Sequence, residues 1–239
     1  EIIRLSCVIN KIDKNFNHIL INTNQNFDKN LNDIFFKQLG IKKPKYFLKN
    51  IKNNSPINFI GKALIEVDKI LNDENPDGIL VLGDTNSSLC AISGKKRKIP
   101  IFHIEAGNRC FDERVPEEIN RKIVDHISDI NMTYSSYAKE NLLSEGIKQD
   151  RVIKIGSPLF EVYNYYNSQI EKSKILDKFN LTKNKFFLAS VHREENVDFD
   201  KNLNEIIKSF NKLIRKFKIP IIFSTHPRTK IKLKNIKNI

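Results

Sequence analysis

Two periodicities take turns along this chain. Residues 2–14 (IIRLSCVINKIDK) place their apolar positions at helical spacing, whereas HILINT (18–23) is a short apolar run of strand length. After a polar loop, 29–39 returns to a helical pattern closed by Gly40, and Ser55-Pro56 signals the start of a helix reaching about Asn72. The alternation then becomes regular. Strands are predicted at GILVL (78–82), IPIFHI (99–104), DINMTY (129–134) and RVIKI (151–155), with helices over 86–97, from Pro116 to Ser128, over 136–145 and from Ser157. A charged stretch runs to Lys185 and is the best candidate for a domain boundary. FFLASV (186–191), a helix over 200–217 and IPIIFS (219–224) follow it. Apolar strands alternating with helices predict an α/β chain whose parallel sheets are covered on both faces.

Composition refines this picture only in places. Hydrophobic residues make up 40% of the 239, enough for a sizeable core, and the length allows one large domain or two smaller ones. Forty-one basic against 28 acidic residues leave a net charge of +13. The lysines are dispersed among Asn and Ile, and no basic stretch is interleaved with aromatics, so no nucleic-acid partner is expected. No apolar run approaches the roughly 20 residues of a membrane span, and the opening residues do not read as a signal peptide. Neither a membrane nor an export route is expected, and the reading is cytoplasmic. Cys7, Cys90 and Cys110 are too scattered for disulfides or zinc; Cys7 and Cys90 read as small core residues. The chain opens at Glu1 without a helix cap and closes on KIKLKNIKNI, which reads as a fragment truncated at both ends.

In parallel sheets, ligands bind outside the carboxyl ends of the strands. Several polar residues directly follow apolar strands here: Asn24 and Gln25, Asp84 and Thr85, Glu105, His192 with Arg193, and His226. The richest such stretch is FHIEAGNRCFDERVPEEINRKIVDH (102–126), where a strand ends in Glu105 and Pro116 opens a helix bearing Glu117, Glu118 and Arg121. At about 100° per residue, Glu117 and Arg121 fall within roughly 40° of each other, with Ile119 and Ile123 nearly opposite. The helix is expected to bury its isoleucines and to turn the Glu117–Arg121 pair elsewhere, as an active-site pair or as an ordinary surface pair. Glu118 is expected to pair with Lys122. Asp84 has a plainer alternative as a helix N-cap.

The eight glycines form neither a G-x-G-x-x-G nor a P-loop fingerprint, and neither a nucleophile elbow nor a metal-spaced cluster is present. No cofactor and no metal are expected. Carboxylates, an arginine and a histidine at strand ends suit proton transfer beside a small anionic ligand. The residues alone lead no further.

Five motifs in order resemble the non-hydrolysing UDP-N-acetylglucosamine 2-epimerases: LGDTNSS (82–88), HIEAG (103–107), PEEINRK (116–122), GSPLFEV (156–162) and VHREEN (191–196). The long form from Glu105 to Asn131 is most similar to the subgroup that forms UDP-N-acetyl-L-fucosamine. The resemblance implies two Rossmann-like domains facing across a cleft, of GT-B type. They would cover residues 1–166 and 167–239, with the first strand missing and the second domain incomplete. It implies a cofactor-free isomerase serving surface polysaccharide precursors. Such an enzyme acts on a UDP-N-acetylhexosamine substrate and is homodimeric when full length, and the 239-residue chain alone is expected to be inactive.

By motif match, Asp84, Glu105 and Glu117 are the acid–base candidates, Arg121 holds a carboxylate ionised, and His192 assists the departing diphosphate. Arg4 matches a basic phosphate-site position and Gln25 a substrate-side glutamine. A GT-B glycosyltransferase, a hydrolysing 2-epimerase and an inactive nucleotide-sugar binder are the alternatives.

The loop between Glu105 and Pro116 is shorter than in enzymes acting on UDP-N-acetylglucosamine itself. Together with NRCFDERVPEE (108–118) it predicts a preference for a 6-deoxy UDP-N-acetylhexosamine. The full-length protein should therefore show a higher kcat/KM on the 6-deoxy sugar. An equal or higher value on UDP-N-acetylglucosamine would overturn that preference.

Overall fold

The computed structural model describes residues 1–24, 29–48, 55–191, 194–225 and 227–233, the side chains of 29–33, 194, 195, 227 and 228 excepted. Two compact units divide the chain, Glu1–Asn167 and Ser168–Ile239. Both are α/β with parallel strands, as the alternating pattern predicts.

In the first unit, α1 (Ile2–Asn15), β1 (Ile21–Asn22), α2 (Lys29–Gln38) and β2 (Tyr46–Phe47) precede α3 (Pro56–Glu74). Ser55 caps α3 by accepting the Asn58 N–H at 3.1 Å, with Pro56 pre-set for the first turn. β3 (Ile79–Leu82), α4 (Ala91–Lys96), β4 (Ile101–Ile104), α5 (Pro116–Ile127), β5 (Ile130–Thr133), α6 (Ser136–Ser144), β6 (Val152–Lys154) and α7 (Pro158–Glu171) follow. The predicted helix over 86–97 is split, because a 3₁₀ turn at Ser88–Cys90 precedes α4. Of the predicted strand 18–23, only two residues pair.

β3, β4, β5 and β6 form one sheet in chain order, all parallel, with Leu82 beside Ile104 and Ile104 beside Met132. Their carboxyl ends therefore share one edge. β1 and β2 make a separate parallel pair, yet Ile21 and Tyr46 pack into the same core as Phe59, Ala63, Val67 and Cys90. Burying an aliphatic or aromatic side chain of this kind contributes about 1.5–3 kcal/mol. Cys7 and Cys90 are buried as expected, and burial pushes the Cys90 thiol up to about 12.

The second unit contains α8 (Ile175–Lys178), β7 (Phe187–Ser190), α9 (Glu194–Val197), α10 (Asp200–Phe217), β8 (Ile221–Ser224) and α11 (Pro227–Leu233). β7 and β8 run parallel, and α10, which buries Leu203 and Ile207, meets them through two edge-to-face ring pairs, Phe187–Phe217 and Phe210–Phe223. No helix among the described residues is long and apolar enough to cross a membrane.

Two glycines in the first unit make opposite demands. At Gly107 (φ 77°), just past β4, an added Cβ would lie 2.1 Å from the Ala138 carbonyl oxygen of α6. At Gly61, inside α3, an added Cβ would meet nothing within 4 Å. Gly107→Ala should destabilise by more than about 2 kcal/mol, from a backbone clash and an unfavourable φ. Gly61→Ala should stabilise by about 0.5–1 kcal/mol, through helix propensity alone. Denaturant melts of the two variants check the sign of each.

Candidate active site

Three chain turns meet at the carboxyl edge of the four-stranded sheet. Asp84 lies two residues beyond β3, Glu105 one residue beyond β4, and Tyr134 one residue beyond β5. Neighbouring strands stand about 4.8 Å apart, so these side chains are close by construction. Gly83 adopts φ 76° where the chain leaves β3, and Glu105 itself adopts φ 70°. A left-handed glutamate costs about 1–3 kcal/mol and persists only when its surroundings fix it. Here the N–H groups of Glu105 and Ala106 both donate to the Met132 carbonyl, at 3.0 and 3.2 Å.

Arg121 reaches this edge from α5 and is 6% exposed. Its Nη2 pairs closely with Asp84 Oδ2 and lies 3.5 Å from Glu105 Oε1, while Nη1 donates to the Glu105 carbonyl at 3.1 Å. Arg4, on the first turn of α1, pairs closely with the other carboxylate oxygen, Glu105 Oε2. Two carboxylates and two guanidiniums thus meet here, and Glu1 brings a third carboxylate within 3.6 Å of Arg4. Asn120 locks α5 to the β3 turn, its amide donating to the Asp84 carbonyl at 2.9 Å and to Asn86 Oδ1 at 3.0 Å. The Thr23 and Ser87 hydroxyls, 2.6 Å apart, bring the end of β1 to the same turn.

Of the expected site residues, the structure therefore brings together Arg4, Asp84, Glu105 and Arg121. Gln25 and His192 lie outside the described residues. Glu117 occupies the same side of α5 one turn before Arg121, but its side chain is exposed and makes no ion pair with Arg121 among the described residues. The expected Glu117–Arg121 pair is corrected accordingly. The expectation for the helix face is corrected too: Ile119 and Ile123 are 47% and 38% exposed, while Glu118, Asn120, Arg121 and Asp125 are buried. The apolar-inside rule fails here because the buried polar groups have partners. Asp84 is not a helix cap, since the next helical residue is Ser88 and its carboxylate serves Arg121. Glu118 does lie within 3.8 Å of Lys122, as expected.

Beneath the cluster runs a buried polar network that sequence reasoning missed. Asp125 accepts the Gly107 N–H at 3.1 Å and Arg109 Nη1 at 2.8 Å, and Arg109 forks onto Glu145 of the α6 C-terminus at 2.7 and 2.6 Å. His103 bonds the Gly83 carbonyl through Nε2 at 2.9 Å. Its Nδ1 lies 2.8 Å from Asp125 Oδ1 but off the line of a well-formed hydrogen bond. Glu118 accepts the Cys110 N–H at 2.9 Å. Burial works to raise the Glu118 carboxyl, and Cys110, Arg109 and Lys122 together hold it below the ordinary value. The Cys110 thiol is exposed, lies 3.7 Å from the Asp112 carbonyl and also approaches the Glu118 carboxylate. Gly107, Arg109, Cys110, Glu118 and Asp125 sit in the EAGNRC…EEINRKIVDH stretch, but His103 precedes it and Glu145 lies well beyond it, so the partners are far apart in sequence.

Among the described residues no group of three or more His, Cys, Asp or Glu could hold a metal ion. A concavity of about 350 Å³ lined by Asp13, His18, Lys42 and Lys45 lies just before β1 and β2 in the chain.

Glu145 makes this network sensitive to acid. The Arg109 fork holds its carboxyl below the ordinary 4.5 against the opposing effect of burial, with a smaller contribution from His126. A depressed folded value stabilises above the unfolded one, and that stabilisation is lost as pH falls through the folded value. Wild type should therefore lose stability on acidification from about pH 6 to below 4 more steeply than Glu145→Gln. Thermal melts across that range provide the check; parallel slopes would contradict it.

The chain matches the family model described as UDP-N-acetylglucosamine 2-epimerase over residues 10–239. A curated relative, UDP-N-acetylglucosamine 2-epimerase of Methanocaldococcus jannaschii, is 39% identical over 98% of this chain and 65% of its own length. The solved structure of UDP-N-acetylglucosamine 2-epimerase from Rickettsia bellii superposes with a TM-score of 0.90 at 49% identity, covering 99% of this chain and 62% of that one. The M. jannaschii enzyme in complex with UDP-GlcNAc and UDP superposes with a TM-score of 0.89, covering 98% and 65%. The chain thus spans less than two thirds of the length of these relatives. With sequence and fold in agreement along nearly its whole length, the chain belongs to the UDP-N-acetylglucosamine 2-epimerase family.

Proposed function

We propose that the protein inverts C2 of a UDP-N-acetylhexosamine by eliminating UDP and adding it back. The observation that carries this reading is the pair of carboxylates, Asp84 and Glu105, held by one buried guanidinium on adjacent strand ends. Elimination breaks the C2–H and C1–O bonds and leaves a glycal. Re-addition returns UDP to C1 and delivers a proton to the opposite face of C2. Inversion thus needs proton-transfer groups on both faces of the ring. Asp84, Glu105 and the exposed Glu117, one helical turn above Arg121, supply three carboxylates for that task. Arg121 keeps two of them placed, and Arg4 is the cation open to the diphosphate. The roles of His192 at the leaving group and of Gln25 on the substrate rest on the family resemblance. The reaction is redox-neutral, and this reading uses no cofactor.

The test is incubation of the full-length protein with the UDP-sugar in deuterated water. Deuterium at C2 in both epimers, without an acceptor, is the expected result. Transfer to an acceptor without C2 exchange would favour a glycosyltransferase and overturn the proposal, and release of free sugar would mark the hydrolysing reaction.

Single substitutions should separate the roles. Asp84→Asn, Glu105→Gln and Glu117→Gln should each lower turnover by about 100-fold or more. Glu117→Gln should leave the melting temperature unchanged, because the side chain is exposed. Arg121→Ala should also destabilise, because it removes the partner of Asp84 and leaves Glu105 with Arg4 alone. Full activity in Glu117→Gln would remove that residue from the proton-transfer set.

A further inference from the structure

Tyr134 is a residue the reading above does not use. It follows β5, and the next residue, Ser135, caps α6 by accepting the Ala138 N–H at 3.1 Å, which fixes the backbone on both sides. The phenol oxygen is buried and makes no well-formed hydrogen bond among the described residues, although the Arg4 guanidinium lies within donating reach of it. The charges around it are Glu105, Arg4 and Arg121. Burial, and then the Glu105 carboxylate, push the phenol up to about 12, so it keeps its proton through the neutral range and can donate it in a hydrogen bond. A buried hydroxyl without a bond is costly, and its presence calls for a state in which it is paired.

The two guanidiniums on Glu105 differ in freedom. Arg121 has a side-chain exposure of 8% and is tied to Asp84 and to the Glu105 carbonyl. Arg4 has a side-chain exposure of 34% and stands at the open end of α1. An arriving diphosphate competes with Glu105 for Arg4, because it carries more charge in the same place. Once Arg4 turns to the phosphate, Glu105 Oε2 loses its donor while Oε1 keeps Arg121.

We propose that Tyr134 is a positioning residue for Glu105: when Arg4 moves to the substrate diphosphate, the Tyr134 hydroxyl donates to the carboxylate oxygen that Arg4 has left. The exchange keeps the carboxylate in a single orientation for proton transfer at C2, and it rests on the function proposed above.

Tyr134→Phe in the full-length protein tests this, because it removes one oxygen and keeps the ring. The melting temperature without ligand should be equal or higher, since the hydroxyl proton has no well-formed acceptor there. The rate of C2 exchange at saturating substrate should fall by about 10- to 100-fold, the range for losing a hydrogen bond to a charged group. The affinity for UDP, measured by calorimetry, should fall several-fold, because the release of Arg4 is then uncompensated, and KM should rise to a similar extent. Arg4→Lys should instead raise KM with the saturated rate little changed. A lowered melting temperature would overturn the proposal by showing the hydroxyl already bonded in the free protein. Unchanged exchange and unchanged UDP affinity would overturn it equally. Absence of UDP binding or C2 exchange in the unaltered protein would sink the reading beneath it, which separates the two failures.

Discussion

A guanidinium buried between two carboxylates is the constraint on which the first unit depends. The burial of Arg121 is tolerable only if anions are delivered to it in the right places. The fold delivers them from two adjacent strands, through Asp84 and Glu105. That requirement fixes the entry of α5, whose polar side must face the sheet edge, and leaves Ile119 and Ile123 on the outside. It also accounts for the left-handed backbone at Glu105. The carboxylate can turn toward Arg121 while its carbonyl accepts Nη1 only if the chain bends sharply at the strand end.

The strain at that bend is held by groups beneath it. Gly107 allows the loop to touch the Ala138 carbonyl, and Asp125 captures the Gly107 N–H. Arg109 closes the arrangement by joining Asp125 to Glu145. His103 carries the same support sideways to the Gly83 turn, which presents Asp84. The two catalytic candidates on neighbouring strands are therefore positioned by one connected set of buried partners, and displacement of one turn is felt by the other.

Much of this was legible in the sequence. The alternation of strand and helix patterns places β3 to β6 correctly, and the strand-end rule picks out Asp84 and Glu105 before any contact is seen. Helical periodicity alone misjudged α5. It pairs Glu117 with Arg121 because they are four residues apart, and it buries isoleucines because they are apolar. The partners that reverse both expectations, Asp84 and Glu105, are 37 and 16 residues from Arg121, and local spacing carries no trace of them. His103, Asp125 and Glu145 stayed hidden for the same reason. Tyr134 is different: it ends the predicted strand DINMTY, so the strand-end rule reaches it once aromatic hydroxyls count alongside charges.

The cluster also divides its own labour by exposure. A cation that must capture a mobile anion has to be reachable and must be able to leave its resting partner. A cation that orients a proton-transfer group must do neither. Arg4 and Arg121 contact the same carboxylate from opposite sides of this divide, one open on the first turn of α1 and one sealed against the sheet edge. Every charge of the resting cluster has an opposite partner before substrate arrives. An anion that draws Arg4 away takes a hydrogen-bond donor from Glu105 and none from Asp84, which is held by Arg121 throughout. The one carboxylate left short of a donor is then the one beside a buried, protonated phenol.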